Sequence, residues 1–254
     1  MVAIYLPILT NLVTFALAGW VLSLATKNVT HVDSMWSLFF VLALVTAMSQ
    51  TSIITERHVA IMIALFVWAS RLSGYLTLRN WGQPEDIRYQ NIRKNNSPGF
   101  GIKSIYIIFL FQALLASIIV LPLIGSLENS RAYNLIDKVG LGIVLFGVFF
   151  QSIADIQLRR FLRHNKNKGV LRTGLWKYSR HPNYFGEFLV WWGFYLVSLD
   201  GGPWFFIISP LLMTLLLLKV SGVGLMEQTI TNRRPGYNQY IQNTSSFIPW
   251  PPKN

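Results

Sequence analysis

Apolar residues along the chain come in long blocks almost free of charge, separated by short polar stretches. Residues 4–25 hold no charged side chain, and neither do 35–55, 59–70, 104–126, 139–154, 188–199 and 203–218. A helix needs about 20 apolar residues to cross roughly 30 Å of hydrocarbon. The shorter blocks reach that length by taking in flanking polar residues: 59–78 includes Arg71, and 184–199 includes Glu187. The pattern predicts an all-α polytopic membrane bundle of about seven transmembrane helices, forming one integral membrane domain over 1–254. No internal repeat or low-complexity linker interrupts it. The first block lacks a basic segment before it and reads as a retained helix rather than a signal peptide.

Three segments break the apolar pattern. Gly82-Gln83-Pro84-Glu85-Asp86-Ile87-Arg88-Tyr89 opens with turn residues and runs on through polar 91–97 to Pro98-Gly99. Residues 158–178 carry the main basic cluster, and 232–254 form a tail rich in Pro, Tyr and Asn. That tail is expected to dock at the membrane interface without becoming helical. Trp20, Trp81, Trp176, Trp204 and Trp250 sit at block ends, as an interfacial aromatic belt would place them.

Composition and charge sharpen this picture. The chain is 52% hydrophobic and 13% charged, against roughly 25% charged in an average soluble domain. Its 22 Lys and Arg exceed its 10 Asp and Glu by 12. The excess is concentrated: 79–103 is +3, 155–180 is +7, and the chain from Lys219 onward is +3. Seven spans with the N-terminus outside place all three segments, and the C-terminus, on one side. The positive-inside rule makes that side the cytoplasm. Topology therefore accounts for much of the basic excess, and the expected partner is a lipid bilayer rather than nucleic acid. Asn28-Val-Thr30 and Asn243-Thr-Ser245 match glycosylation acceptors, but this topology puts both in the cytoplasm.

Cysteine is absent, which excludes disulfides, thiolate chemistry and cysteine metal sites. With four His and no His-Glu-x-x-His, no metal site is expected. Neither a dinucleotide-fold glycine motif nor a Walker loop occurs. Asp33, His31 and Lys219 read as lone groups near span ends, snorkelling to the interface.

Three constellations are candidates for carrying chemistry. Gln151, Asp155 and Arg159 are spaced i, i+4, i+8 and so share one helix face. They read either as a helix end closed by an Asp155–Arg159 ion pair or as a polar pocket wall in which Arg159 binds anionic oxygens. The second is Tyr178-Ser179-Arg180-His181-Pro182-Asn183-Tyr184-Phe185-Gly186-Glu187. Pro182 suits the first turn of a helix. Such a helix aims its free N–H groups at the basic loop, with Arg180 and His181 beside them. Asn183 and Glu187 then lie one turn apart on one face. Glu187 is within the apolar stretch, where it serves either helix packing or function. A third cluster, Arg233-Arg234-Pro235-Gly236-Tyr237-Asn238-Gln239-Tyr240, reads as a solvated lipid-facing patch or as part of the same site.

The string LWKYSRHPNYFGEFLVWWGFYL resembles the DUF1295 family, together with the upstream ADIQLRRF and GQPEDIRY and the downstream SGVGLMEQ, RRPGYNQY and FIPW. That family is related to steroid 5α-reductases and, more distantly, to isoprenylcysteine carboxyl methyltransferases. The resemblance implies a seven-helix fold that holds NADPH in its cytoplasmic half, here about 142–254. It matches the relatives' polar-x₃-Asp-x₃-Arg cofactor face to Gln151, Asp155 and Arg159, with Gln where the relatives have Asn. It matches their Asn-x₃-Glu pair to Asn183 and Glu187, and their tail tyrosine to Tyr240. Arg233 or Arg234 stands for a tail arginine, and Arg163, Tyr178, Arg180 and His181 complete the implied cofactor set.

The implied reaction delivers hydride to the β-carbon of an enone in a lipid, and a hydrogen-bond donor stabilises charge on the carbonyl oxygen. Tyr75 on the third span and Glu187 are the catalytic residues this implies. The reductases' acidic partner for the tyrosine has no counterpart in the second span beyond Asp33 at its edge. The expected function is an NADPH-dependent, 5α-reductase-like oxidoreductase acting on a C=C bond of a steroid-like or other enone lipid, in a bacterial inner membrane. The alternative is an S-adenosylmethionine-dependent membrane methyltransferase. The basic cluster favours NADPH, whose 2′-phosphate and pyrophosphate call for charge-assisted donors. A transporter would need polar lining through the whole membrane depth, and the charges here collect at one end.

Overall fold

Each long apolar block folds as helix. In the computed structural model, which describes residues 2–128, 131–165, 169–200, 202–220, 227, 230 and 234–253, no strand occurs among the described residues. Among the described residues, five helices are long and apolar enough to cross a membrane. The first three are α1 (Val2–Thr26), α2 (His31–Ser49) and α3 (Glu56–Asn80). Past the short α4 (Ile87–Asn95) comes α5 (Phe100–Ile119), and past α6 (Leu121–Leu127) comes α7 (Leu135–His164). The helices that follow, α8 (Pro182–Ser198) and α9 (Trp204–Lys219), each have 17 residues or fewer. The sequence pattern predicts seven spans, and the difference lies in these two. Pro182 stops α8 from extending backward, and Gly202-Pro203 stands between α8 and α9. A short tail helix, α10 (Tyr237–Asn243), corrects the expectation of a non-helical tail.

The chain divides into two compact units, 1–133 and 134–254. In the first, α1 buries Ile8, Leu12 and Ala16, four residues apart, while Leu6, Val21, Leu22 and Leu24 stay exposed. Apolar groups thus cover the outside as well as the inside, as a lipid-facing surface requires. Phe40 of α2 meets Trp68 of α3 edge to face at 5.5 Å. Polar side chains spend their hydrogen bonds between helices: Ser37 Oγ donates to Ala69 O (2.9 Å), Asn11 Nδ2 to Thr46 Oγ1 (3.0 Å), and Trp20 Nε1 to Gly101 O (2.8 Å). Buried Arg57, at the start of α3, donates to the Ser126 carbonyl of α6.

At the other end of α3, the 82–89 segment closes onto the turn between α1 and α2. Arg88 Nη2 reaches Asp33 Oδ2 at 2.6 Å, and Tyr89 donates its hydroxyl to Asp33 Oδ1 at 2.5 Å. Asp86 N–H donates to Thr30 Oγ1, and Glu85 accepts from Val29 N–H and from both ends of the Arg93 fork. His31 Nε2 meets Gly19 O at 2.9 Å. Asp33 is therefore not a lone snorkelling group but part of a clasp, and His31 is held against α1. Burial opposes ionisation of Glu85 and of Asp86. The Arg93 contact still holds Glu85 below the usual carboxylate range, and Arg88 does the same for Asp86. Burial and the facing Asp33 carboxylate push the Tyr89 phenol well up, so it stays a proton donor to that carboxylate.

In the second unit, α7 and α8 run against each other along a seam of glycines. A Cβ on Gly147 would lie 2.7 Å from Gly186 O, and one on Gly193 would lie 2.7 Å from Gly140 O. Those pairs recur every seven residues on each helix, so the backbones touch over two full turns. Asn134 and Asp137 cap the start of α7 reciprocally, and Asn134 Nδ2 also holds Asp200, just past the end of α8.

Candidate functional site

The glycine seam brings polar residues together at the basic end of the second unit. A Cβ on Gly186 would stand 2.7 Å from Gln151 Cβ, so Gln151 is pressed against α8 and buried. One turn on, Asp155 is also buried, and Asn183 Nδ2 donates to its Oδ1 at 3.1 Å. One turn deeper in α8, buried Glu187 accepts from Trp191 Nε1 at 3.1 Å. Gln151, Asp155, Asn183 and Glu187 thus share one helix–helix seam. The Asn183 Oδ1 atom is buried and has no hydrogen-bond partner among the described residues. An amide oxygen in that state is set to accept an N–H from a bound molecule.

Arg159 and Arg163 continue the face of α7 and are exposed. Their exposure has a geometric cause. The partner helix begins at Pro182, opposite Asp155, so α7 has no α8 to pack against beyond that point. Among the described residues no ion pair joins Asp155 to Arg159, and Asp155 is bonded to Asn183 instead. The loop after α7 returns over a different face, where Trp176 Nε1 donates to Ala154 O (3.0 Å) and Leu175 N–H to Gln157 Oε1 (3.0 Å). Gly174 has φ +62°, and a Cβ there would strike the Gln157 side chain at 2.5 Å.

Arg180 and His181 are turned toward the tail. The Arg180 guanidinium forks onto Glu227 at 2.7 and 3.1 Å and donates to the carbonyls of Ile241 (3.0 Å) and Thr244 (2.5 Å). Its backbone N–H meets Ser245 O at 2.8 Å. His181 Nδ1 lies 2.9 Å from Ser246 O, and Ser179 Oγ donates to Phe247 O at 2.7 Å. Phe247 packs edge-on against Phe185 and Phe188 of α8. The expected anion-binding helix start is therefore covered by the chain's own tail, with most Arg180 donors engaged inside the protein.

Tyr240 is buried, and its hydroxyl donates to Trp176 O at 2.5 Å. Burial pushes its phenol, like that of Tyr237, upward, Tyr237 to about 12. Tyr178 is exposed beside the Lys177 ammonium, 5.8 Å from its ring. Arg234 donates to Gly169 O at 2.7 Å, and Arg233 lies outside the described residues. Tyr75 belongs to the first unit, where the Arg71 guanidinium sits 5.5 Å from its ring.

Sequence reasoning missed the Asp33–Arg88–Tyr89 clasp. Its signal was the paired acids Glu85-Asp86 directly before Arg88-Tyr89, in a segment otherwise read only as a loop. It also missed Gln157 and Arg172. Arg172 donates to Gln239 Oε1 (3.1 Å) and Gly236 O (2.5 Å), binding loop to tail.

Among known proteins, the chain is similar to a fission yeast (Schizosaccharomyces pombe) protein described as "Uncharacterized protein C594.04c", with 28% identity over 210 residues. The match covers 70% of this chain and 59% of that protein, so the chain spans about three-fifths of its relative's length. No solved structure matches. The model of the family described as "Protein of unknown function (DUF1295)" matches residues 19–244, nearly the whole length, and the chain belongs to that family.

Proposed function

We propose that the protein is an NADPH-dependent membrane reductase of a C=C bond in a hydrophobic, enone-type lipid. The observation that carries this reading is the part-buried Asp155–Asn183 pair, whose buried acceptor Asn183 Oδ1 has no partner among the described residues. A carboxamide N–H₂, such as nicotinamide bears, fits an acceptor of that kind. When bound, NADPH supplies the hydride that the substrate carbon takes up. Asp155 holds the amide of Asn183 by its Nδ2, which leaves the buried oxygen as the acceptor, and Glu187 and Gln151 line the adjoining seam. Arg159 and Arg163 are exposed cations available to phosphate, and Tyr178 and Arg234 lie on the same basic end. Arg180, His181 and Tyr240 act by holding the tail in place beside the site. The setting we propose is a bacterial inner membrane with the basic end toward the cytoplasm.

The test is cofactor binding by the purified protein in neutral detergent, with NADPH and S-adenosylmethionine titrated in parallel. NADPH is expected to bind, and Asn183→Ala to weaken it by about tenfold or more, the scale of one lost hydrogen bond in a dry site. Arg159→Ala is expected to weaken NADPH binding as well. Binding of S-adenosylmethionine with no response to NADPH would transfer the site to a methyltransferase.

A further inference from the structure

A second polar feature lies on the far side of the tail helix. The segment before α8 and the chain end enclose a groove of about 190 Å³ lined by Arg172, Lys177, Gln239, Asn243 and Lys253, with the buried Tyr240 at its floor. Three of its described lining residues are cationic, and none of the described lining residues is acidic. Glu227, the acidic residue of the tail, is engaged by Arg180 instead. Topology alone asks for basic residues on this end of the molecule, but it does not ask three of them to face one concavity.

The groove is also held in shape. The Arg172 fork is fixed by Gln239 and Gly236, and Lys253 N–H is bonded to Asn243 O at 2.9 Å. Trp250 N–H donates to Tyr178 O at 2.9 Å, so the chain end is pinned on both sides of Pro251-Pro252. Pockets for drug-sized ligands run from about 300 Å³ upward. This one suits a single small anionic group rather than a whole dinucleotide. Arginine and lysine donors with flanking amides, unopposed by acid, match phosphate oxygens in both charge and hydrogen bonding.

We infer that this groove binds a phosphate group, separately from the α7–α8 seam and whatever that seam holds. The phosphate comes either from a soluble phosphate compound or from the headgroup of an anionic lipid at the membrane face, and the chemistry of recognition is the same. Local lysine labelling tests this on the full chain. The protein is treated with an amine-acylating reagent at matched ionic strength, and each lysine is quantified by peptide mass spectrometry. In one arm, inorganic phosphate is added in neutral-detergent micelles. In the other, the protein sits in phosphatidylcholine bilayers with or without phosphatidic acid.

Labelling of Lys177 and Lys253 is expected to fall by at least about threefold in one arm or both, with Lys94 and Lys219 unchanged. Protection by inorganic phosphate identifies a soluble source, and protection by phosphatidic acid alone identifies a headgroup. Arg172→Gln should remove the protection. Because Arg172 also ties the loop to Gly236, Lys253→Gln is the second variant, read at Lys177. Equal protection of all four lysines would mean bulk charge screening and would overturn the site. So would no protection in either arm, or full protection of Lys177 in both variants.

Discussion

Burial holds the His181 imidazole below its ordinary pKa of 6.5, and the neighbouring Arg180 charge acts in the same direction. The Ser246 carbonyl and the Glu227 carboxylate oppose the shift without cancelling it. In the unfolded chain His181 takes a proton at higher pH than in the folded one, so the native arrangement is favoured above pH 6.5. That contribution is lost as pH falls below 6.5 toward the folded value. The slope is at most about 1.4 kcal/mol per pH unit for one proton. Because His181 binds the tail at Ser246, the loss should appear first as undocking of 237–253. Hydrogen exchange of those amides should be flat from pH 8 to about 6.5 and accelerate in more acid solution. His181→Gln keeps an N–H donor for Ser246 and should flatten the acid limb. Exchange that slows on acidification, or is equally steep in the variant, would contradict the assignment. At this scale the sequence named the right residue with a different partner. Adjacency to Pro182 pointed His181 and Arg180 at a bound anion, whereas they meet the chain's own Glu227 carboxylate and main-chain carbonyls some 60 residues later, and carbonyls have no sequence signature.

The α7–α8 pair depends on four glycines that a sequence reading passes over, because glycine contributes nothing to an apolar pattern. Gly140 and Gly147 face Gly193 and Gly186 so closely that a methyl group on any of them would overlap backbone atoms at 2.7–2.8 Å. That approach is what carries Gln151 and Asp155 within reach of Asn183. The periodicity of Gln151, Asp155 and Arg159 on one helix and of Asn183 and Glu187 on the other was legible from spacing. That the two faces meet, and that Arg159 falls beyond the meeting point, depends on where the seam ends. Gly186→Ala is expected to cost about 1–3 kcal/mol by overpacking and to weaken NADPH binding by displacing Gln151. Gly142, on the same helix, has open space where a Cβ would go. Gly142→Ala should therefore be neutral or stabilising by up to about 1 kcal/mol from helix propensity. Thermal unfolding in detergent checks both, and a Gly186→Ala protein as stable as Gly142→Ala would argue against the seam.

At the scale of the molecule, apolar blocks and charge predicted membrane helices, and five of the predicted spans have the length to cross. The clasp and the capped ends give each unit an internal polarity. In the first, 27–33 and 82–93 lie at one end of the helices, with Arg57 and Ser126 at the other. In the second, the 169–181 loop meets the tail at one end, and Asn134 meets Asp200 at the other. A chain that alternates sides at each apolar helix remains the expectation from the sequence, with α8 and α9 shorter than the five long helices. In each unit taken by itself, the basic segments fall at the clasp end or the tail end, the end that the positive-inside rule predicts to be cytoplasmic. The absence of cysteine makes this directly testable, since each introduced thiol is the sole reactive one. Gln90→Cys and Thr173→Cys, at exposed positions in basic segments, should react with a membrane-impermeant maleimide only in inverted vesicles or after permeabilisation. Ser52→Cys and Ala132→Cys, exposed beyond the opposite ends of α2 and α6, should react in intact cells. If α8 and α9 failed to cross as a pair, the tail would still face the cytoplasm. Asp200→Cys, at the turn between them, therefore decides the count: reaction in intact cells requires seven spans, and protection until permeabilisation leaves five.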